Sequence, residues 1–302
     1  MMSAHAVRPA VVAAAAARLS YAALTARPPG GSQRWERTNH RGEPITLLAG
    51  PALAIGSIAG AAAAGGRARD RLALAVAGAG AAAFGSFDDH AGNGVRKGFR
   101  GHLGALRAGE LTTGAVKIAG IGGTSLVAAL LAAPSAGAGQ PGRRASGPVA
   151  AAADAVINAG LIAGGANMLN LFDLRPGRAI KVALLAGGLL TPTDRGLASA
   201  AAPLAAAAAL LPEDLGERTM LGDAGANALG AMLGVAAAAA LPRAARVGVL
   251  AVVAGLTAAS EKVSFTKIIE RTPALHRLDM LGRRPPRAAA VVETGRRSTE
   301  AR

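Results

Sequence analysis

The feature that most constrains this chain is an alternation of long apolar runs, rich in alanine and glycine, with short segments that carry the arginines. Nine runs stand out, at 6–26, 45–64, 72–87, 116–134, 149–169, 178–191, 197–212, 225–241 and 246–260. A helix upright in a bilayer needs about 20 apolar residues, and several runs are shorter than that. With 51% hydrophobic residues, the chain is too apolar for an ordinary soluble domain. The pattern predicts an all-α polytopic membrane protein of about nine transmembrane helices. Residues 1–282 read as a single integral membrane domain. Residues 283–302, where proline and arginine dominate, read as a disordered cytoplasmic tail. The first run, with Arg8 ahead of Val11–Ala17, has the outline of a signal peptide. The eight runs behind it favour reading it as the first span.

The spans are built from small side chains, which let membrane helices approach closely. Ala226, Gly230 and Gly234 form one such row. The formal charge of +15 could point to nucleic acid, but the basic residues sit mainly between apolar runs. With nine spans, 21 lysines and arginines fall in the loops of one side and 8 in those of the other. Positive charge is retained on the cytoplasmic side, so the richer side, with loops 27–44, 88–115, 170–178, 213–224 and 261–302, is expected to be cytoplasmic. No nucleic-acid partner is implied. The absence of cysteine excludes disulfides, thiolate catalysis and cysteine-ligated metal sites.

Three acidic motifs fall at span ends on that side. The first is Met220-Leu221-Gly222-Asp223-Ala224-Gly225-Ala226-Asn227-Ala228-Leu229-Gly230, with Asp223 at the start of a span. A helix N-terminus has unpaired N–H groups and favours phosphate. Asp223 there is either a plain N-cap or a ligand holding a divalent cation against a phosphate. The second is Phe84-Gly85-Ser86-Phe87-Asp88-Asp89-His90. Its paired carboxylates end a helix where the dipole is negative, so they either call for a cation, a metal or a nearby basic side chain, or simply open a solvated loop. Arg96, Lys97 and Arg100 follow closely. The third is Asn167-Met168-Leu169-Asn170-Leu171-Phe172-Asp173, whose polar residues at a spacing of three share one broad helix face. They suit a sugar, a nucleobase or metal-bound water, or else hydrogen bonding between helices. Asp154 and Asn158, earlier in that span, fit the interhelical role better. With Lys97, Arg100 and Lys117, the three motifs outline a cationic pocket of hard oxygen ligands, the donor set that magnesium takes.

Taken in chain order, Asp88–Asp89, then Asn167–Asp173, then Asp223, the motifs resemble the polyprenyl-phosphate N-acetylhexosamine-1-phosphate transferases, the superfamily of MraY and WecA. The resemblance covers roughly residues 40–280. It implies an enzyme of the cell membrane, with its active site on the cytoplasmic face, that moves a sugar-1-phosphate from a UDP-sugar to polyprenyl phosphate and releases UMP. It implies magnesium as cofactor, with Asp223 and Asp89 as ligands and Asp88 acting on the lipid phosphate. Asn167, Asn170 and Asp173 would line the nucleotide pocket, Lys97, Arg100 and Lys117 would hold phosphate, and His276 would stand for the family's last-loop histidines. A homodimer is compatible with it. The chain departs from the pattern in places. The acidic pair is not followed by a third aspartate, because Gly92 and Asn93 stand there. After Asp173 the chain reads Leu174-Arg175-Pro176-Gly177, without a second aspartate. His276 is the single histidine of Thr272-Pro273-Ala274-Leu275-His276-Arg277-Leu278-Asp279. These departures point away from a peptide-bearing donor. They also leave open a degenerate relative that binds polyprenyl phosphate or scaffolds an envelope complex without catalysis.

Overall fold

The computed structural model describes residues 4–91, 109–110, 112–133 and 147–285. Lys97 and Arg100, both expected to hold phosphate, lie outside the described residues, as does the segment 286–302. Nine helices stand where the nine apolar runs were read: α1 (Ala4–Ala26), α2 (Ala49–Ala63), α3 (Ala68–Ala91), α4 (Thr113–Ala132), α5 (Pro148–Phe172), α6 (Arg178–Gly188), α7 (Asp194–Leu215), α8 (Gly222–Ala240) and α9 (Arg243–Ser260). Two short helices follow, α10 (Phe265–Arg271) and α11 (Pro273–Met280). Six of them, α1, α4, α5, α7, α8 and α9, are long and apolar enough to cross a membrane. The protein is therefore all-α and of a membrane type. Helices α2, with 15 residues, and α6, with 11, are shorter.

Helix α8 is the axis of the bundle. Nearly every residue from Gly222 to Ala237 is buried, and α8 packs against α2, α3, α5 and α7. A helix surrounded in this way must present little side-chain volume, which its alanines and glycines achieve. A Cβ on Gly230 would lie 2.1 Å from the carbonyl oxygen of Gly165, and one on Gly234 would lie 2.5 Å from the Cα of Ile162. The α5–α8 crossing is thus backbone against backbone, and the row noticed in the sequence is its seam. Helix α9 is the opposite case. It packs on α5 alone among the larger contacts and leaves Val247, Val249, Val252 and Leu256 exposed.

Between α1 and α2 the chain forms a small antiparallel hairpin, β1 (Glu36–Thr38) with β2 (Pro44–Thr46). The sequence reading placed a loop up to 44 and began the next span at 45. Helix α2 instead begins at Ala49, because residues 44–46 are spent on strand pairing. Thr46 continues this pairing to the segment before α8: Met220 N–H donates to its carbonyl at 3.0 Å, and the Thr219 hydroxyl donates to the same oxygen at 2.7 Å. The hairpin thereby fixes where α8 starts.

The polar pairs sort by level along the bundle. Arg246 of α9 donates to Asn158 at 2.6 Å and to Asp154 at 3.3 Å, so those two residues tie α5 to α9, as the sequence suggested. At the other end, Arg178 and Asp279 form a buried two-pronged pair, 2.7 and 3.1 Å, and Arg283 adds a further bond to Asp279 at 2.7 Å. Arg284 reaches Glu43 of the hairpin at 2.7 Å. The chain expected to become a free tail at 283 is therefore fastened through at least Arg284.

Candidate active site

Three close approaches at glycines assemble the site, two to backbone and one to a carboxylate. A Cβ on Gly85 of α3 would lie 2.3 Å from the carbonyl oxygen of Asp223, and one on Gly50 of α2 would lie 2.2 Å from that of Leu221. The C-terminal turn of α3 and the first turn of α2 therefore press directly on the first turn of α8. Gly222 has φ +60°, and a Cβ there would sit 3.0 Å from Asp89 Oδ2. Only glycine both adopts that conformation cheaply and leaves room for the carboxylate.

Asp89 uses that room. One of its oxygens accepts from the N–H of Asp223 at 3.1 Å, and the other accepts from the N–H of Ala224 at 3.0 Å. Asp173, at the end of α5, accepts the N–H of Gly222 at 2.8 Å. The start of α8 is thus capped in trans by two carboxylates from other helices. This corrects the expectation of free N–H groups facing phosphate: three of them are already taken. It also answers how α3 can end in two aspartates. The N-terminal dipole of α8 supplies part of the compensating charge.

Asp223 itself is not a cap, since no side chain of its own helix caps α8. Its carboxylate and that of Asp88 pair with the same cation. Lys117 of α4 places its Nζ 3.3 Å from Asp88 Oδ2 and in short contact with Asp223 Oδ2. The side chains of Asp88, Asp223 and Lys117 retain 21, 23 and 14% of their exposure, so the group is sheltered yet reachable. The guanidinium of Arg37, on β1, donates to the backbone carbonyl of Asp89. His90 follows: its Nδ1 lies 2.7 Å from the Ser86 carbonyl, and its ring meets Trp35 edge-on at 4.6 Å.

The structure therefore brings together Asp88, Asp89, Asp173, Asp223 and Lys117 from α3, α4, α5 and α8. Burial, with the Asp214 carboxylate nearby, pushes Asp173 well above the usual carboxylate range, and the bond from Gly222 works in the other direction. The remaining candidates fall elsewhere. Asn167 is exposed and donates to Thr257 of α9 at 3.1 Å, an interhelical bond. Asn170 is half-buried one turn before Asp173, and His276 is exposed on α11. Two neighbours escaped the sequence reading. Arg37 was unremarkable among the loop arginines. Asn227, one turn beyond Asp223 in α8, is buried with both side-chain polar atoms unpartnered among the described residues. An asparagine inside an alanine–glycine helix was the available signal for it.

Among the described residues no three His, Asp or Glu side chains are arranged to hold a metal ion. Magnesium seldom needs such a cage. It keeps several waters and binds through one or two carboxylates together with substrate phosphates. Asp88 and Asp223, adjacent and partly exposed, fit that requirement. Asp89, whose oxygens are both engaged by the α8 backbone, fits it less well. A scan against models of known protein families finds no match to this chain, and no curated protein matches it.

Proposed function

We propose that this protein is a membrane phosphoglycosyltransferase that moves a sugar-1-phosphate from a UDP-sugar to polyprenyl phosphate and releases UMP. The observation that carries the reading is the convergence of Asp88, Asp89, Asp173 and Asp223, from three separated motifs, on the first turn of α8 beside Lys117. In this reading all nine helices cross the cell membrane, and the site faces the cytoplasm, where UDP-sugars are available. The short α6 is compatible with a crossing. Just before it, Gly177 lies against Leu215 at the end of α7; beyond it, Gly196 in the first turn of α7 lies against Ala240 at the far end of α8.

In the reaction an oxygen of the lipid phosphate attacks the β-phosphorus of the UDP-sugar. The new P–O bond forms as the bond to the bridging oxygen breaks, and UMP departs with that oxygen. Asp88 and Asp223 would hold magnesium, which when bound neutralises pyrophosphate charge and improves the leaving group. Lys117, on leaving its pairing with the two aspartates, would donate to a phosphate oxygen of the substrate. Asp89 and Asp173 do not touch substrate; they hold α8 so that Asp223 stays in place. Positioning and electrostatics of this kind dominate phosphoryl transfer.

One observation favours a second reading. The Lys117 ammonium already compensates Asp88 and Asp223, as in a relative that binds polyprenyl phosphate without turnover. Purified protein with polyprenyl phosphate, magnesium and a panel of UDP-sugars separates the two. The enzyme reading expects magnesium-dependent UMP release, greater with a UDP-N-acetylhexosamine than with a peptide-bearing donor. No UMP release with any donor, while polyprenyl phosphate still binds, would leave the second reading standing.

A further inference from the structure

At the end of the bundle away from the carboxylates, a cavity of about 270 Å³ is lined by Arg8 and Pro9 of α1, by Ala62 to Gly65 at the end of α2, and by Arg71 of α3. It lies about 20 Å from the carboxylate site, the length of α2 at 1.5 Å per residue. Its charge is uncompensated. Arg67 nearby is held by Asp70 through bonds of 2.9 and 2.6 Å, but neither Arg8 nor Arg71 has a carboxylate partner among the described residues. Arg71 spends one nitrogen on the carbonyl of Ala64 at 3.1 Å, which orients the guanidinium along the cavity wall. Apolar residues flank the two arginines along the helices: Val7 and Val11 beside Arg8, and Leu72 beside Arg71, are 44, 61 and 51% exposed. Two guanidinia at a helix-end cavity, bordered by exposed aliphatic surface, match a phosphate on an acyl-chain body.

We infer that this cavity binds the phosphate headgroup of an anionic lipid. The chemistry fits for three reasons. Guanidinium pairs with phosphate through charge-assisted, geometrically matched bonds. Two arginines share one cavity and neither has a carboxylate partner among the described residues, which leaves an anion's place open between them. The exposed valines and leucine need hydrocarbon, which a lipid brings and free phosphate does not. The leaflet follows from the proposed function: with the carboxylate site cytoplasmic, this lipid belongs to the outer leaflet. The binding itself does not depend on that reading.

The test is lipid binding by the full-length protein in detergent, read by native mass spectrometry and by thermal shift. The probes are phosphatidylglycerol, phosphatidylcholine and inorganic phosphate. The wild type should retain and be stabilised by phosphatidylglycerol, with little response to the other two. Arg8→Gln should weaken phosphatidylglycerol binding on the order of 10-fold, the loss of one charge-assisted contact. Arg71→Gln should do the same, and Arg8→Gln guards against loss of the Ala64 contact disturbing the fold. Arg69→Gln, exposed in the first turn of α3, serves as the control and should bind like wild type. Equal binding by Arg8→Gln and wild type would overturn the proposal. So would equal stabilisation by phosphatidylcholine, or by inorganic phosphate alone, which would mark a simple anion site. UMP release should be untouched in Arg8→Gln, so failure here and failure of the transferase reading are told apart.

Discussion

Removing Asp89 tests the trans cap on α8 most sharply. Its two oxygens satisfy two N–H groups of the first turn, at 3.1 and 3.0 Å. A lost cap costs roughly 0.5–2 kcal/mol, and loss of a carboxylate from a helix N-terminus adds about 0.3–1 kcal/mol. With two N–H groups orphaned in a half-buried place, Asp89→Ala is expected to cost about 2–4 kcal/mol. Asp89→Asn keeps one acceptor and loses the charge, so about 1 kcal/mol is expected. For a chain of this size that corresponds to very roughly 5–10 °C and 2–4 °C of Tm. Thermal unfolding in detergent, followed by the loss of helical circular dichroism, measures both. Asp89→Ala melting within a degree or two of wild type would refute the capping geometry. So would Asp89→Asn melting as low as Asp89→Ala.

Three further outcomes follow from the fold. Gly230→Ala places a Cβ 2.1 Å from the Gly165 carbonyl, so α5 and α8 must separate at an expected cost of about 1–3 kcal/mol or more; Gly255→Ala on α9, where a Cβ meets nothing within 4 Å, should leave the melting temperature unchanged or slightly raised. Burial would raise the Asp279 carboxyl, but its bonds to Arg178 and the surrounding charge outweigh that and hold it below the usual carboxylate range. The stabilisation is therefore fully present above the unfolded value of about 3.9 and is lost as pH falls through the lower folded value. Asp279→Asn should remove that acid sensitivity and cost about 3–5 kcal/mol at neutral pH, checked by unfolding across pH 2 to 7. The native chain has no cysteine, so a single cysteine at the exposed Ala91 should react with a membrane-impermeant thiol probe only after the cytoplasmic face is opened, and one at the exposed Ala68 should react from outside; the reverse pattern would invert the topology.

Much of this architecture was legible in the chain because such helices announce themselves by apolar length: each of the nine runs overlaps a helix, and six of these are long and apolar enough to cross a membrane. What was not legible was where the helix ends meet. Asp223 reads as an N-cap from its position, yet the capping oxygens come from Asp89 and Asp173, 134 and 49 residues away along the chain. No local pattern encodes that pairing. Glycines at 50, 85 and 222 make it feasible, and in a chain with 41 glycines they do not stand out. Similarly, Asn167, Asn170 and Asp173 share a broad helix face in sequence, but small differences in direction send Asn167 to Thr257 and Asp173 to α8. The hairpin was hidden because three-residue strands carry too little alternation to register.

The most direct measurement is magnesium-dependent UMP release by Asp223→Asn. Asparagine preserves shape and most hydrogen bonding but binds a hard dication poorly. Asp223 caps nothing, and its pair with Lys117 is partly exposed, so the change in stability should be within about 1 kcal/mol. The transferase reading predicts a loss of turnover on the order of 10³-fold or more, several kcal/mol in barrier, with an almost unchanged melting temperature. Asp223→Asn releasing UMP at a near wild-type rate, at limiting magnesium, would contradict the assignment of this carboxylate cluster as the catalytic centre.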